Sequence, residues 1–182
     1  MGSRRSALAT LVKTMINQNQ MPLLITFPFT RQLEDVDAIL AGLCRETVSV
    51  SSGPAFHRLL YAFRIAKNNY RGAAQILYDL ITRLKSSSAA LQDPKDESIT
   101  QAYLTLINTL SLVTEQDQYL LVGQREGEGG LKGVPDGKAA PRRLVTLEDL
   151  RREYQAELDR VAAMETGRFA FSAGGGDEME VL

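Results

Sequence analysis

Residues 55 to 85 carry two apolar stripes at helical spacing, joined by Asn68-Asn69. In the first, Phe56, Leu59, Leu60, Phe63 and Ala66 fall on one side, and Tyr61 and Ile65 widen the stripe. In the second, Ala73, Leu77, Leu80, Ile81 and Leu84 share a face. A helix that is apolar on most sides needs cover from more than one neighbour. A chain built around this pair is therefore layered, helix on helix. Asn tolerates the left-handed conformation that ends a helix, and a second Asn can cap the next one. The expectation is an αα-hairpin, with Gly72, Ala73 and Ala74 small enough for close approach.

The flanking sequence extends the pattern. Residues 6–19 read as a helix with Leu8, Leu11, Val12, Met15 and Ile16 in one stripe, ended by Met21-Pro22. LLITFPF, 23–29, reads as an extended or irregular segment packed across helices. Thr30 is placed to cap a helix over 31–47, with Val36, Ile39, Leu40, Leu43 and Val48 inward. Ser52 or Gly53 can cap the helix at 55, with Pro54 in its first turn. A polar connector leads to Asp96 or Ser98, which starts a helix with Ile99, Tyr103, Leu106, Ile107, Leu110 and Val113 on one face. TEQDQYLLVG reads as a turn and a short helix. Thr146-Leu-Glu-Asp149 is close to a capping box and opens a helix over 147–165, with Leu147, Leu150, Tyr154, Leu158 and Val161 on one side. Gly167 ends it, and DEMEVL reads as the first turn of a further helix.

The fold class expected is all-α, an irregular α-solenoid of stacked antiparallel helix hairpins. Residues 4–122 form the helical solenoid segment and 123–145 a flexible Gly-rich loop. Residues 146–166 form an amphipathic helix continuing the solenoid. Residues 167–182 form a linker and the truncated start of another helix, as in a fragment of a longer protein. No strand pair or β-hairpin signal stands out. Helix starts near 6, 31, 55, 70, 97 and 147 follow no fixed period, and tryptophan is absent. A tetratricopeptide array is therefore not expected.

The residue types that perform chemistry are scarce. The chain holds one cysteine, Cys44, and one histidine, His57, too few for a Cys/His zinc site or a disulfide. Cys44 reads as a small buried apolar side chain and His57 as a surface or half-buried helix residue. Glu34, Asp35 and Asp37 stand near a helix N-terminus, where the macrodipole favours negative charge, so they read as helix-end charges rather than acid/base groups. A nucleophile–histidine–acid arrangement would have to recruit His57 with Cys44 or a distant serine. The glycines of 123–143 are in no phosphate-binding order. The aromatics of YAFRIAKNNYR follow the apolar stripe, which favours core packing over base stacking. A net charge of −1 gives no strong pull toward nucleic acid or anionic membrane. No apolar run reaches the roughly 20 residues of a membrane span. The start MGSRRS fits an N-myristoylation pattern and reads as a cloning remnant. No catalytic, cofactor-binding or metal residue is assigned, no cofactor is expected, and the partner-binding residues stay unassigned. The chain reads as a helical scaffold or binding module, not an enzyme.

Four segments, in order, carry a resemblance. They are QMPLLITFPF, LLYAFRIAKNNYRGAAQILYDLITRL, YLTLINTLSLV and LVTLEDLRREY, spanning about residues 8 to 155. The set resembles the large scaffold nucleoporin of the Y-shaped outer-ring complex, of the one-twenty (yeast) or one-sixty (vertebrate) kilodalton type. The resemblance implies a piece of a long α-helical solenoid within the nuclear pore coat at the nuclear envelope. It implies as partners the short-arm and stem members that meet at the hub of the Y, and it brings no catalytic residues. The alternative from another class is a helical adaptor that binds a peptide or protein partner, as in vesicle coats. A solenoid segment should leave apolar side chains uncovered at its ends, whereas an adaptor should be self-contained.

Overall fold

The chain turns where the two asparagines stand. The computed structural model describes residues 2–47, 55–87, 91, 93, 95–123 and 142–166. Along it run α1 (Gly2–Asn17), α2 (Met21–Thr26), α3 (Leu33–Glu46), α4 (Phe56–Ala66) and α5 (Tyr70–Ser86). Then come α6 (Ser98–Ser111), a 3-10 turn at Glu115–Asp117, strands β1 (Tyr119–Gly123) and β2 (Arg142–Thr146), and α7 (Leu147–Glu165). Asn68 takes φ 58° after α4. Asn69 Oδ1 then accepts from the Gly72 N–H at 2.9 Å and caps α5. Both roles are the ones the sequence assigns.

Helices pack on their neighbours in chain order from α3 to α7, which is the stacking of a helical solenoid. Two apolar clusters result. Leu8, Val12, Leu24, Val36, Leu40, Leu60 and Phe63 centre the first, between α1 and α4. Leu77, Ile81, Ile99, Tyr103, Leu106, Leu110 and Leu150 centre the second, between α5 and α7. Tyr61 touches both clusters, and its hydroxyl lies 3.2 Å from Thr109 Oγ1. All five residues of the expected α5 face are buried.

Several expectations need correction. Residues 21–26 are helical, not irregular, because a proline in the first turn forfeits an N–H that has no helical partner anyway. Pro28 follows α2, and Phe29 tucks against Phe63 with ring centroids 6.3 Å apart. Thr30 does not cap α3; Gln32 holds that position without a side-chain bond. Leu11 belongs to the α1 stripe by spacing but is half exposed.

The largest departure is a strand pair, which replaces the short helix expected before residue 123. β1 and β2 are antiparallel, with Leu120 opposite Val145 and Leu121 opposite Leu144. YLLVG and RRLVT do alternate, since Leu120 and Val145 are buried and Leu121 and Leu144 exposed. The connection is far longer than the usual two to five residues or so of a hairpin loop, which hid the pairing. Gly123 and residues 142–145 of the expected loop thus belong to the ribbon. The inward Val48, the caps at Ser52, Gly53 and Pro54, the loop interior at 124–141 and everything from Gly167 onward lie outside the described residues. Thr146 and Asp149 form the reciprocal capping box that opens α7.

Gly72 serves the bend more than the helix contact. A Cβ there would stand 2.5 Å from Asn69 Nδ2, inside the cap. Gly72→Ala is therefore expected to destabilise the chain by about 1 kcal/mol, the usual worth of a cap. In an Asn69→Ala background the same change should be neutral or stabilising, because the clash is gone and Ala favours helix. Urea unfolding of the four variants checks this; equal costs in both backgrounds would contradict it.

Candidate functional site

Asp37 and His57, two of the residues that looked chemically able, join helices. Arg64 of α4 donates from Nε to Asp37 Oδ1 and from Nη2 to Asp37 Oδ2, both at 2.7 Å. Its Nη1 donates to the Gly72 carbonyl, also at 2.7 Å. One guanidinium thus ties α3, α4 and α5 together. Asp37 is more than a helix-end charge: it is one half of a two-bond ion pair across a helix interface. Glu34 and Asp35 do lie in the first turn of α3. Asp35 adds a loose exposed pair with Arg5 at 3.6 Å.

His57 is buried, not on the surface. Its Nε2–H donates to Asp79 Oδ2 at 3.1 Å. The same oxygen accepts from Arg83 Nε at 2.9 Å, and Arg83 Nη1 donates to the Thr47 carbonyl at 3.1 Å. Burial alone would raise the Asp79 pKa. The hydrogen bond from His57 and the charge of Arg83 outweigh it and hold the carboxyl below its usual range. Cys44 sits in the first apolar cluster. Burial first, and then the negative charge of Asp79, push its thiol up to about 11. A thiol held protonated is a poor nucleophile. Among the described residues no hydrogen bond joins Cys44 to His57. His57 and Asp79 therefore form a helix–helix clamp rather than a catalytic pair.

The cations of YAFRIAKNNYR are likewise engaged. Lys67 Nζ donates to the Phe27 carbonyl at 2.9 Å and lies over the Phe63 ring. Arg71 stacks on Tyr119 at 4.0 Å and donates to the Tyr119 carbonyl. Phe63 is buried and Tyr61 is packed in the stack, so neither presents an open ring face for a base.

A third polar cluster, missed by the sequence reading, fastens α7. Lys85 Nζ donates to Tyr103 Oη at 2.8 Å, and that hydroxyl donates to Glu153 Oε2 at 2.9 Å. Burial, with Glu153 beside it, pushes the Tyr103 phenol far above its ordinary range. Glu157 is buried; Arg160 grips its Oε1 at 2.6 Å and also donates to the Leu91 carbonyl. Glu157 falls in phase with Leu150 and Tyr154, a signal that was present in the sequence. Among the described residues no cluster of His, Cys, Asp and Glu could hold a metal ion. No helix among them is long and apolar enough to cross a membrane.

Uncovered apolar side chains remain in two places. Leu11, Met21, Leu23, Phe27 and Leu33 are exposed on α1, α2, the turn after it and the start of α3. Leu104, Leu112, Leu121 and Leu144 are exposed on α6, just after it and on the ribbon.

Stacked helices bound by interior ion pairs, with apolar surface left open, define an α-helical scaffold segment. The family model described as NUP160/120 middle TPR matches residues 1–112, and the chain belongs to this family. The chain is similar to nucleoporin NUP120 of Chaetomium thermophilum, 30% identical over 260 aligned positions that cover 97% of this chain and 21% of the relative. It is 27% identical to nucleoporin nup120 of Schizosaccharomyces pombe, over 92% of this chain and 14% of that one. It is 28% identical to the nuclear pore complex protein Nup160 of Mus musculus, over 81% and 11%. The chain thus spans about a fifth or less of the length of these curated relatives. The family's description carries the tetratricopeptide name, while the helix starts of this chain follow no fixed sequence period.

Because the Asp79 pKa is depressed in the folded chain, its stabilising effect is full above the unfolded value near 3.8. It is lost as pH falls through the folded value. Asp79→Asn should therefore lower the urea midpoint at pH 7, and the gap to the parent chain should close below about pH 4. A gap that stays constant into acid would contradict this role.

Proposed function

We propose that this chain is a structural segment of the nuclear pore scaffold, acting through its shape and its stacked layers at the nuclear envelope. The observation that carries the reading is the apolar surface at the α1–α2 end. Leu23 and Phe27 stand about half exposed there, beside a well-packed interior. Large apolar side chains uncovered beside a close-packed core mark a surface that something else covers. In a layered helical protein the natural cover is another layer. The family supplies the setting, since its relatives carry the names of nuclear pore proteins.

The partners that fit are other scaffold members of the Y-shaped coat, the short-arm and stem proteins at its hub. No enzymatic step is assigned. His57 and Asp37 are held in the clamps described above and Cys44 in the first apolar cluster, while Glu34 and Asp35 stay at the start of α3.

Size-exclusion chromatography with light scattering tests the reading. The chain is mixed with purified hub fragments of the short-arm and stem nucleoporins. A stoichiometric complex is the expected result. A folded monomer that ignores both, here and in a longer segment of the same protein, would overturn the hub assignment.

A further inference from the structure

The outer edge of β2 has no partner among the described residues. The ribbon holds two strands in the order β1–β2. Tyr119 and Thr146 face each other in the register. The Tyr119 carbonyl accepts from Arg71, and the Thr146 N–H donates to Asp149 Oδ2 at 3.0 Å. The backbone groups of this pair therefore point out of the ribbon. In an antiparallel pair such outward groups recur at every second residue, so those of Arg142 and Leu144 point outward too. β1 packs along α5, and Arg71 closes its edge at Tyr119. No such closure reaches Arg142 or Leu144 among the described residues.

The side chains beside this edge state what would fit it. Leu121 and Leu144 are cross-strand neighbours on the solvent face, 43% and 51% exposed. Arg142 lies on the same face as Leu144, and Arg143 lies on the other. Both arginines are exposed, and neither forms an ion pair with a described residue. Glu148 and Asp149 pair with Arg152, and Arg143 bears on Asp149 through its charge without closing an ion pair. Arginines alone could serve to repel stray strands. An edge built only for protection would not keep two leucines side by side in water.

We propose that the outer edge of β2 is a docking edge for an extended acidic and apolar segment of another protein, which adds to the ribbon as a third strand. Main-chain hydrogen bonds to Arg142 and Leu144 supply affinity. An apolar side chain beside Leu144 lengthens the Leu121–Leu144 row, and acidic side chains meet Arg142 and Arg143. The proposal stands apart from the pore-scaffold reading, because it rests on the ribbon alone.

Fluorescence anisotropy with labelled peptides tests it. The probe is EEVAVEE, which presents two acids and then an apolar residue in either direction; KKVAVKK is the charge-reversed control. The full chain should bind the first and bind the second at least tenfold more weakly. N-methylation of alternate residues of EEVAVEE keeps its charge and blocks its main-chain bonds, and should abolish binding. Arg142→Glu should weaken EEVAVEE at least tenfold while leaving the thermal melt unchanged, since its side chain is exposed. Equal binding of the two peptides, full binding of the N-methylated one, or no binding of EEVAVEE would each overturn the proposal. So would preference for a single-stranded oligonucleotide over the acidic peptide, which would make the arginines a phosphate site.

Discussion

Arg64 is the joint of this structure. Its guanidinium takes both oxygens of Asp37 on α3 and the Gly72 carbonyl on α5. The Gly72 carbonyl is in reach because Asn69 caps α5 through the Gly72 N–H, which fixes where that first turn begins. Cap and clamp therefore set one another's geometry. The two apolar clusters meet near this joint, with Ala74 in the second, Ile76 in the first and Tyr61 packed on both. A guanidinium offers donors in a fixed planar fork, and lysine in its place could not hold three acceptors in these directions.

The same logic recurs along the stack. His57 and Arg83 converge on Asp79 and tie α4, α5 and the end of α3. Lys85, Tyr103, Glu153, Glu157 and Arg160 tie α5, α6 and α7. Each polar group sits at a seam between apolar layers. Apolar contact supplies the attraction between layers, and it is tolerant of sliding. Directional bonds at the seams choose one register out of several that the apolar faces would accept. For a scaffold, register decides the shape it presents. Whether the net contribution of each clamp to stability is large matters less than the alternatives it excludes, since breaking one leaves a charge poorly solvated.

What the sequence made legible follows from range. The α4–α5 hairpin was readable because apolar periodicity and the Asn pair act within one or two turns. The α7 capping box was readable for the same reason. Asp37 was misread because a local cause, the helix N-terminus, already accounted for a carboxylate there. Its actual partner lies 27 residues away. The burial of His57 depends on Asp79, 22 residues on, and no local pattern states it. The ribbon was hidden because each strand is short and its mate is distant, so alternation in YLLVG competed with a helical reading of five residues. The α2 helix was lost to a general rule about proline that its first-turn position suspends. The interaction surfaces were the least legible. A leucine at stripe spacing looks the same whether the next layer belongs to this stretch of chain or to something else, and Leu11 shows it.

The central claim is that polar seams, not isolated helix-end charges, hold the layers in register. A double-mutant cycle on Arg64 and Asp37 tests it most directly. Arg64→Ala, Asp37→Ala and the double variant are unfolded in urea beside the parent chain. The account predicts a coupling energy of about 1–3 kcal/mol, the range for groups in one network. If the two single costs add to within about 0.5 kcal/mol, Asp37 is a helix-end charge after all and the joint at Arg64 does not exist.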